Sequence, residues 1–490
     1  MPDLFFRRIL FFRRKVHTLL LNPPSYGGFD GGAGARYQAR REIRSFWYPT
    51  WLAYPAAMIP ESRLIDAPPA DMDVDEVIRE ARGYDLIIIS TSTPTISHDV
   101  KVAELLKDHY SGVKIGFVGP HTMVLPEETL KASAAIDFVT TGEFDYSVPE
   151  IARGVPFDGV RGIAFRSNGR IIRSEDRPPV EDLDALPFVT PVYARDLTID
   201  NYYNGYLKHP YVSLYAGRGC RARCIFCLWP QTISGHIYRV RSPENVYEEM
   251  VQAKALFPQV KEYFFDDDTF TDNPSRAEEI ARKIKHLGIT WSCNSRANTS
   301  RDTLEVLKDC GLRLLTVGFE SGNQKILNNI KKGIRLDQAR EFVKATKELG
   351  ILVHGAFILG LPGETSETME ETMHFAEEMD PYSIQVSLVA PYPGTEIYSQ
   401  GIREGWIVRE GDSLTKEGIQ NAAISYSGLS RDEIFETVER FYRRFYLRPR
   451  PILRILKEML QDRDEFSRRL REGREFFSFM AKRKEVVAER

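Results

Sequence analysis

The chain has 490 residues, of which 42% are hydrophobic and 28% charged, with a formal net charge of -3 at pH 7. That length exceeds what one hydrophobic core usually supports, so two or three domains are expected. The near-neutral charge gives no reason to expect a nucleic-acid partner. No apolar run approaches the roughly 20 residues that cross a bilayer, which argues against a transmembrane enzyme. With five cysteines and no secretory leader, the sequence is typical of a cytoplasmic protein.

Both ends of the chain are basic. Residues 441–490 hold 15 Lys and Arg against 8 Asp and Glu, and residues 1–15 contain the sequence Phe-Phe-Arg-Arg twice. Aromatic side chains beside cations suit a membrane surface, but a solvated extension fits the same residues. We therefore treat residues 1–15 as an N-terminal extension whose role stays open.

Residues 16–160 alternate short apolar strands with helices. The strands are predicted at 17–21, 63–66, 84–90, 113–119 and 137–141. This alternation predicts an α/β domain, a Rossmann-like doubly wound parallel sheet with a crevice at the strand carboxyl ends. His98 and His121 lie near helix starts, where hydrogen bonding explains a histidine more often than metal ligation, so neither is assigned as a ligand. A hairpin around Asn168-Gly169 and a proline-rich stretch make residues 161–205 a connector.

A second run of strands and helices follows, with longer helices. One strand leads into the segment around Cys220, and the others are predicted at 263–266, 290–295, 314–319, 352–359 and 384–389. Six such units predict a partial (β/α)6 barrel of the TIM type over residues 206–410, with its active groups at the strand carboxyl ends. Residues 411–490 are predicted to form a C-terminal helical region.

Three cysteines, Cys220, Cys224 and Cys227, follow the spacing Cys-x3-Cys-x2-Cys. A four-iron, four-sulfur cluster normally takes four cysteine ligands, so three would leave one iron free to bind a small molecule. A structural zinc site is the alternative, with His236 as the nearest fourth ligand, although the spacing is awkward for zinc. A disulfide suits a reducing compartment least. The two other cysteines lie in apolar surroundings and are predicted to be small buried hydrophobes.

The cysteine spacing, with the aromatic Phe226 before the third cysteine, resembles the cluster loop of the radical S-adenosylmethionine (radical SAM) enzymes. The resemblance implies a [4Fe-4S] cluster on the three cysteines. It also implies S-adenosyl-L-methionine (SAM) cleaved to a 5'-deoxyadenosyl radical, and an electron donor such as flavodoxin or ferredoxin. It places Phe226 against the adenine, and Asp268, Arg296 and Glu320 beside the methionyl and ribose parts. An ion-pair network without ligand contact is the alternative for the last three residues.

Residues 16–160 resemble the cobalamin-binding domain that precedes the barrel in one large radical SAM subgroup. The likeness includes Gly119-Pro120-His121 and Thr141-Gly142-Glu143. It implies cobalamin as a further cofactor. The run Asp-x-His-x2-Gly, which supplies an axial histidine in many cobalamin folds, is missing from the sequence. Either cobalamin binds here without a protein histidine, or the fold has another role.

Residues 27–51 resemble the radical SAM proteins of hopanoid biosynthesis, the bacteriohopanetetrol cyclitol ether synthases. The stretch opens Gly-Gly-Phe-Asp-Gly-Gly and closes Phe-Trp-Tyr-Pro-Thr-Trp. The resemblance implies a hopanoid lipid substrate, glucosaminyl bacteriohopanetetrol, whose sugar contracts to a five-membered aminocyclitol. The glycine-rich loop either presents its backbone to a ligand or is a flexible connector. A cobalamin-dependent radical methylase and a non-catalytic zinc-loop scaffold stay open as alternatives.

A hopanoid substrate would explain the basic C-terminal region. Ile452, Leu453, Leu456 and Leu460 lie among basic residues there, as in a segment that rests on the anionic inner membrane surface. Two helices packed on the barrel are the alternative.

Overall fold

The computed structural model describes residues 16–25, 29, 39–408, 414–461 and 463–488. The prediction of an N-terminal extension over residues 1–15 lies outside the described residues. So does most of the glycine-rich loop, of which Phe29 alone is described between residues 26 and 38.

The first sheet has seven strands in the order β2-β1-β3-β4-β5-β6-β7. They are β1 (Thr18–Asn22), β2 (Arg63–Asp66), β3 (Leu86–Ser90), β4 (Lys114–Val118), β5 (Phe138–Thr140), β6 (Ile163–Ser167) and β7 (Arg170–Arg173). Strands β1 to β5 are parallel, and β6 and β7 are antiparallel additions at one edge. The hairpin predicted at Asn168-Gly169 is therefore the β6–β7 hairpin, and it extends this sheet.

Helices cover both faces of the sheet. They are α1 (Thr50–Met58), α2 (Ala67–Ala70), α3 (Val74–Glu80), α4 (Ile96–His109), α5 (Pro120–Val124), α6 (Pro126–Ala132) and α7 (Ser147–Ala152). Successive side chains of a strand point to opposite faces. Accordingly Leu19 and Leu21 pack in one apolar cluster with α3 and α4, whereas Leu20 packs in another with α1 and α7. The predicted doubly wound sheet is confirmed.

A connector and a short ribbon lead into the second sheet. The connector contains α8 (Thr190–Asp196) and leads to β8 (Tyr211–Leu214), the first strand of that sheet; β9 (Gly217–Arg218), α9 (Leu228–Thr232) and β10 (Arg239–Val240) follow. The cysteine segment lies between β9 and α9. Because β9 and β10 pair antiparallel, they close the base of this segment.

The second sheet has six parallel strands in the order β15-β14-β13-β12-β11-β8. Its remaining elements are α10 (Pro243–Leu256), β11 (Glu262–Phe265), α11 (Pro274–Lys285), β12 (Trp291–Ser295), α12 (Arg301–Asp309), β13 (Leu312–Glu320), α13 (Gln324–Asn329), α14 (Leu336–Glu348), β14 (Leu352–Leu359), α15 (Ser366–Met379), β15 (Ser383–Leu388) and α16 (Glu396–Glu404). The predicted six-unit partial barrel is confirmed. The residue ranges given above for the barrel and the other domains remain predictions.

Three helices form the C-terminal region: α17 (Arg431–Tyr446), α18 (Pro449–Met459) and α19 (Arg463–Ala488). Helix α17 lies against the barrel, where the hydroxyls of Tyr442 and Tyr446 accept the N–H groups of Val386 and Ile384 at 2.8 and 3.0 Å. Among the described residues, no helix is both long and apolar enough to cross a bilayer.

Helix α1 was not predicted from the sequence. All its residues from Thr50 to Ala56 are buried, so it lacks the alternation of apolar and polar faces that marks a surface helix. It packs between the first sheet and the barrel, in an apolar cluster that also includes Val212 and Trp291 of the barrel. The two sheets therefore share one core.

The close packing of β4 against β5 gives a stability test. A Cβ atom at Gly116 would overlap the ring of the buried Phe138. Gly116→Ala should therefore destabilise the protein by about 1–3 kcal/mol, because an extra methyl group overpacks a filled core. Gly112→Ala is the matched control, since a Cβ there meets nothing within 4 Å. Thermal unfolding followed by fluorescence checks this, and equal melting temperatures for the two variants would contradict it.

Candidate active site

The three cysteines of the predicted cluster loop lie at the carboxyl end of the barrel strands. Cys220 and Cys224 are buried at 8% and 7% exposure. Burial, followed by the charges of Cys224, Asp268 and Cys220, raises the pKa of Cys227 well above its ordinary value. The thiols are thus close enough to interact. A coordinated metal deprotonates a thiol outright, so this buried set suits ligands whose charge a metal balances.

Hydrogen bonds from residues outside the cysteine segment hold the backbone of this loop. Gln231 donates its amide to the carbonyls of Cys224, Ile225 and Cys227 at 3.2, 3.1 and 2.8 Å. The Ile225 N–H bonds the carbonyl of Ile330 at 3.1 Å, which ties the loop to the segment after α13. The loop is therefore positioned by the barrel rather than by its own cysteines alone.

The alternatives to a cluster gain no support from the geometry. All five cysteines have free thiols, which gives no support to the disulfide alternative. Within the part of the chain described, no three His, Cys, Asp or Glu side chains surround a point as ligands of a single ion do. His236 points Nδ1 at the carbonyls of Cys220 and Ala222, at 3.3 and 3.0 Å. A zinc site needs four ligands around one ion, whereas a four-iron cluster takes its thiolates on separate irons.

The four predicted SAM-binding residues surround the loop. Phe226 is half-buried against the core. Asp268 follows β11 and accepts the Gly219 N–H at 3.0 Å. Arg296 follows β12 and donates to the Lys332 carbonyl at 2.6 Å. Glu320 ends β13. The structure thus brings all four to one end of the barrel, although some of their polar atoms also bind protein groups.

Lys332 belongs to this site and was not predicted from the sequence. Its ammonium pairs with the Glu320 carboxylate at 2.6 Å, and the side chain is almost fully buried. Burial lowers the pKa of Lys332, but the nearby charges of Glu320 and Cys224 outweigh it and hold the pKa above its ordinary value. Glu320 has φ of +65°, a left-handed conformation that a non-glycine residue seldom adopts. The lysine places a fixed positive charge beside the cysteines. It lies twelve residues after Glu320 and belongs to no motif, so the sequence did not identify it.

The carboxyl edge of the first sheet carries a set of polar groups. Asp99 accepts the hydroxyls of Thr91 and Thr95 at 2.7 Å each, and burial raises its pKa to about 7. Each histidine of this edge has one ring nitrogen next to a protein group. Nδ1 of His121 is 3.1 Å from the Thr93 hydroxyl, and Nε2 of His98 is 2.7 Å from the Pro24 carbonyl. These contacts do not identify either histidine as a metal ligand.

Arg218 joins this edge to the cluster loop. Its guanidinium makes two hydrogen bonds of 2.9 Å with Asp145, and it lies 4.3 Å from the ring centroid of Trp51 and 4.5 Å from that of Tyr54. Glu143 lies 3.7 Å from Arg218. Both members of the Arg218–Asp145 pair are about 2% exposed or less. The start of the cluster loop is thereby fixed to the loop after β5.

Several buried polar atoms at this junction have no hydrogen-bond partner among the described residues. They include Trp51 Nε1, Thr140 Oγ1, Thr141 Oγ1 and Ser234 Oγ. Trp51 and Ser234 line a cavity of about 10 Å³, a volume about the size of one water molecule. Gly119, at φ of +123°, brings its loop so close to Thr91 that a Cβ would overlap its carbonyl. Unsatisfied donors and a close glycine turn at strand ends fit a cofactor over this edge.

Comparison with known proteins agrees with the geometry. The Radical SAM superfamily model matches residues 214–376, and the B12 binding domain model matches residues 39–152. The chain is 30% identical over 431 residues to an uncharacterised methyltransferase of Pyrococcus horikoshii, covering 86% of this chain and 92% of that protein. It is 26% identical over 510 residues to cytidylyl-2-hydroxyethylphosphonate methyltransferase of Streptomyces wedmorensis, covering 89% and 91%.

A solved structure shows the same fold. The cobalamin-dependent SAM radical enzyme OxsB, solved with aqua-cobalamin and SAM bound, has a TM-score of 0.67 and 14% identity, covering 96% of this chain and 72% of that one. The fold and loop define a radical SAM enzyme with a Rossmann-like domain before its barrel. The chain belongs to the radical SAM enzymes that carry a B12-binding domain. Their cofactors are a [4Fe-4S] cluster, SAM and cobalamin.

Arg218 gives a direct test of the domain junction. Arg218→Ala leaves the buried Asp145 carboxylate without its partner, which typically costs about 3–5 kcal/mol. Arg221→Ala is the control, because Arg221 is 64% exposed in its own ion pair and should cost about 1 kcal/mol or less. Chemical denaturation of both variants measures the difference. Unfolding midpoints that match would show that the junction does not depend on this pair.

Glu364 predicts a pH effect at the barrel mouth. One oxygen accepts the N–H groups of Gly360 and Leu361 at 2.6 and 2.9 Å, and burial raises its pKa from 4.5 to about 8. The folded state then holds a proton that the unfolded state loses, so this contribution to stability is full below about pH 4.5 and disappears as the pH rises through 8.

Glu364→Gln should remove that part of the pH dependence, because an amide cannot ionise but still accepts both hydrogen bonds. Glu367→Gln, at an exposed position of α15, is the control. Melting temperatures between pH 5 and 8.5 provide the measurement. If Glu364→Gln and wild type lose stability in parallel, the carboxyl is not protonated in the folded protein.

Proposed function

We propose that this protein is a cobalamin-dependent radical SAM methyltransferase. The observation that carries the proposal is the junction at Arg218, which sets the predicted cluster loop against the carboxyl edge of a B12-type sheet. Two relatives of nearly full length are named as methyltransferases, which supports methyl transfer over other radical chemistry.

In this proposal Cys220, Cys224 and Cys227 hold the cluster, whose bound form supplies the electron that cleaves SAM. Phe226 offers an aromatic face to the adenine. Arg296 donates to the Lys332 carbonyl and would offer its remaining N–H groups to the methionyl carboxylate. The Glu320–Lys332 pair presents a carboxylate to the ribose while its ammonium offsets negative charge near the thiolates.

The loops after β3 and β4 would hold cobalamin, which would act as a methyl carrier when bound. Thr91, Thr93 and Thr95 line the first loop, and Gly119 lets the second approach it closely. One ring nitrogen of His98 and one of His121 bond protein groups, and neither histidine is assigned to the cobalt. The unsatisfied Thr140 and Thr141 hydroxyls are donors available to the cofactor's amide side chains.

The electron donor would dock beside the cluster loop. Arg221 and Arg223 are exposed within it, so a flavodoxin or ferredoxin with an acidic face would find complementary charge there.

A second candidate is the hopanoid ring contraction that the sequence of residues 27–51 implies, with the protein in the cytoplasm at the inner membrane surface. Its support is positional: the last residue of that stretch, Trp51, lies 5.7 Å from the Trp229 ring, next to the cluster loop. The stretch would then help to shape the substrate side of the site.

One experiment separates the two functions. The protein is reconstituted anaerobically with iron and sulfide, with and without cobalamin, and reduced with SAM and glucosaminyl bacteriohopanetetrol. Methyl transfer predicts cobalamin-dependent formation of S-adenosylhomocysteine beside 5'-deoxyadenosine, with a methylated substrate. Ring contraction predicts 5'-deoxyadenosine and the cyclitol ether without S-adenosylhomocysteine, and that result would overturn the methyltransferase proposal.

Cys224→Ala should abolish both the brown cluster absorption and 5'-deoxyadenosine formation, since one of three ligands is lost. Cys310→Ala is the matched control, because this cysteine lies at the end of α12, outside the loop. Equal iron content in the two variants would refute the ligand assignment.

A further inference from the structure

A cavity of about 300 Å³ lies at the end of the barrel opposite the cluster loop. It is bounded by the first residues of β14 and β15 and closed by the three C-terminal helices. Apolar and aromatic side chains form most of its wall, among them Tyr206, Ile384, Tyr442, Ile455 and Phe476. Its volume is at the lower end of the range for small-molecule pockets.

Most of the charged groups in the wall have hydrogen-bond or ion-pair partners within the protein. Glu42 accepts the Tyr442 hydroxyl at 2.5 Å, and Arg469 binds both Glu458 and Glu472 at 2.6 Å. His354 is buried and stacks on Tyr206 with ring centroids 4.0 Å apart, and burial, followed by the charge of Arg41, lowers its pKa well below its ordinary value. Arg41 also lines the cavity, but most of the charge in the wall is compensated, which suits a largely apolar occupant.

The rim of the cavity is apolar and faces solvent. Four of the lining residues are also exposed: Leu447 at 57%, Ile452 at 39%, Leu456 at 49% and Phe477 at 64%. On α18, Leu453 is also 65% exposed, and Leu460, just after that helix, is 85% exposed. Soluble proteins rarely leave such a contiguous apolar surface without a partner. The exposed Arg450 and Lys457 of α18 flank it with positive charge.

Gly473 keeps the cavity open. It lies in the interior of α19, where glycine costs about 1 kcal/mol relative to alanine. It lines the cavity, and a Cβ there would meet nothing within 4 Å. No steric contact requires glycine at this position, so its effect is to leave the space beside the helix empty.

We propose that this cavity binds the hydrocarbon chain of an anionic lipid, which enters between α18 and α19 while Arg450 and Lys457 attract its head group. The largely apolar wall receives the chain. The exposed leucines cover the part that remains outside. The proposal does not depend on the reaction at the other end of the barrel.

The test is a fluorescence titration of the full chain, carrying its cluster, with cis-parinaric acid, an 18-carbon polyene fatty acid that brightens in a dry site. Wild type should bind it saturably. Gly473→Leu fills the cavity and should weaken binding by about tenfold or more. Ser478→Leu adds the same side chain to an exposed position of the same helix and should change affinity by less than about twofold.

A second arm tests the head-group contact. The double variant Arg450→Gln, Lys457→Gln should weaken binding of the acid by several fold and leave binding of its methyl ester unchanged. If Gly473→Leu fails to fold, which its melting temperature would reveal, Ile455→Trp fills the cavity from α18 and replaces it.

Three outcomes would overturn the proposal. Saturable binding equal in wild type and the filled variants would place the probe elsewhere. Binding only after removal of residues 1–15 would make the chain's own N-terminal segment the occupant. Concentration-dependent dimerisation that excludes the probe would make the occupant a second copy of the chain.

Discussion

The Arg218 guanidinium is the group on which the relation between the two sheets depends. Its two hydrogen bonds to Asp145 are buried, so the loop after β5 and the start of the cluster loop cannot separate without exposing one charge and stranding the other. Trp51 and Tyr54 of α1 cover the guanidinium with their rings, which excludes water and strengthens the attraction. The Arg218–Asp145 pair therefore holds the carboxyl edge of the first sheet next to the cluster loop of the barrel.

The two ends of the barrel follow different physical rules. At the carboxyl end, polar groups converge on the cysteines, with Glu320 of the Glu320–Lys332 pair in a strained backbone conformation, and burial raises the pKa of Glu364 at the same end. Such strain and shifted protonation are stabilised by the surrounding barrel and are common where ligands bind. At the other end, Arg469 pairs with Glu458 and Glu472, and most of the remaining wall is apolar. The two ends of the barrel therefore differ in polarity.

Most of the fold could be predicted from the sequence because its strands are short apolar runs separated by amphipathic helices. Strands β2 and β14 begin and end where predicted. Helix α1 could not be predicted, because a helix buried on every face has no polar side to mark its period. The C-terminal region proved to be three helices, and only their packing showed that they enclose a cavity.

The three neighbouring thiols of the loop could be found from the sequence alone, since cysteine spacing is local and three thiols in eight residues remain close in any fold. The strand pattern also placed Asp268, Arg296 and Glu320 at strand ends, because parallel strands bring their carboxyl ends to one edge. The positions of Lys332 beside those groups and of Arg218 against Asp145, 73 residues away, became visible in the folded chain alone. Such pairs are chosen by packing across the core, where burial makes an unpaired charge too costly to remain.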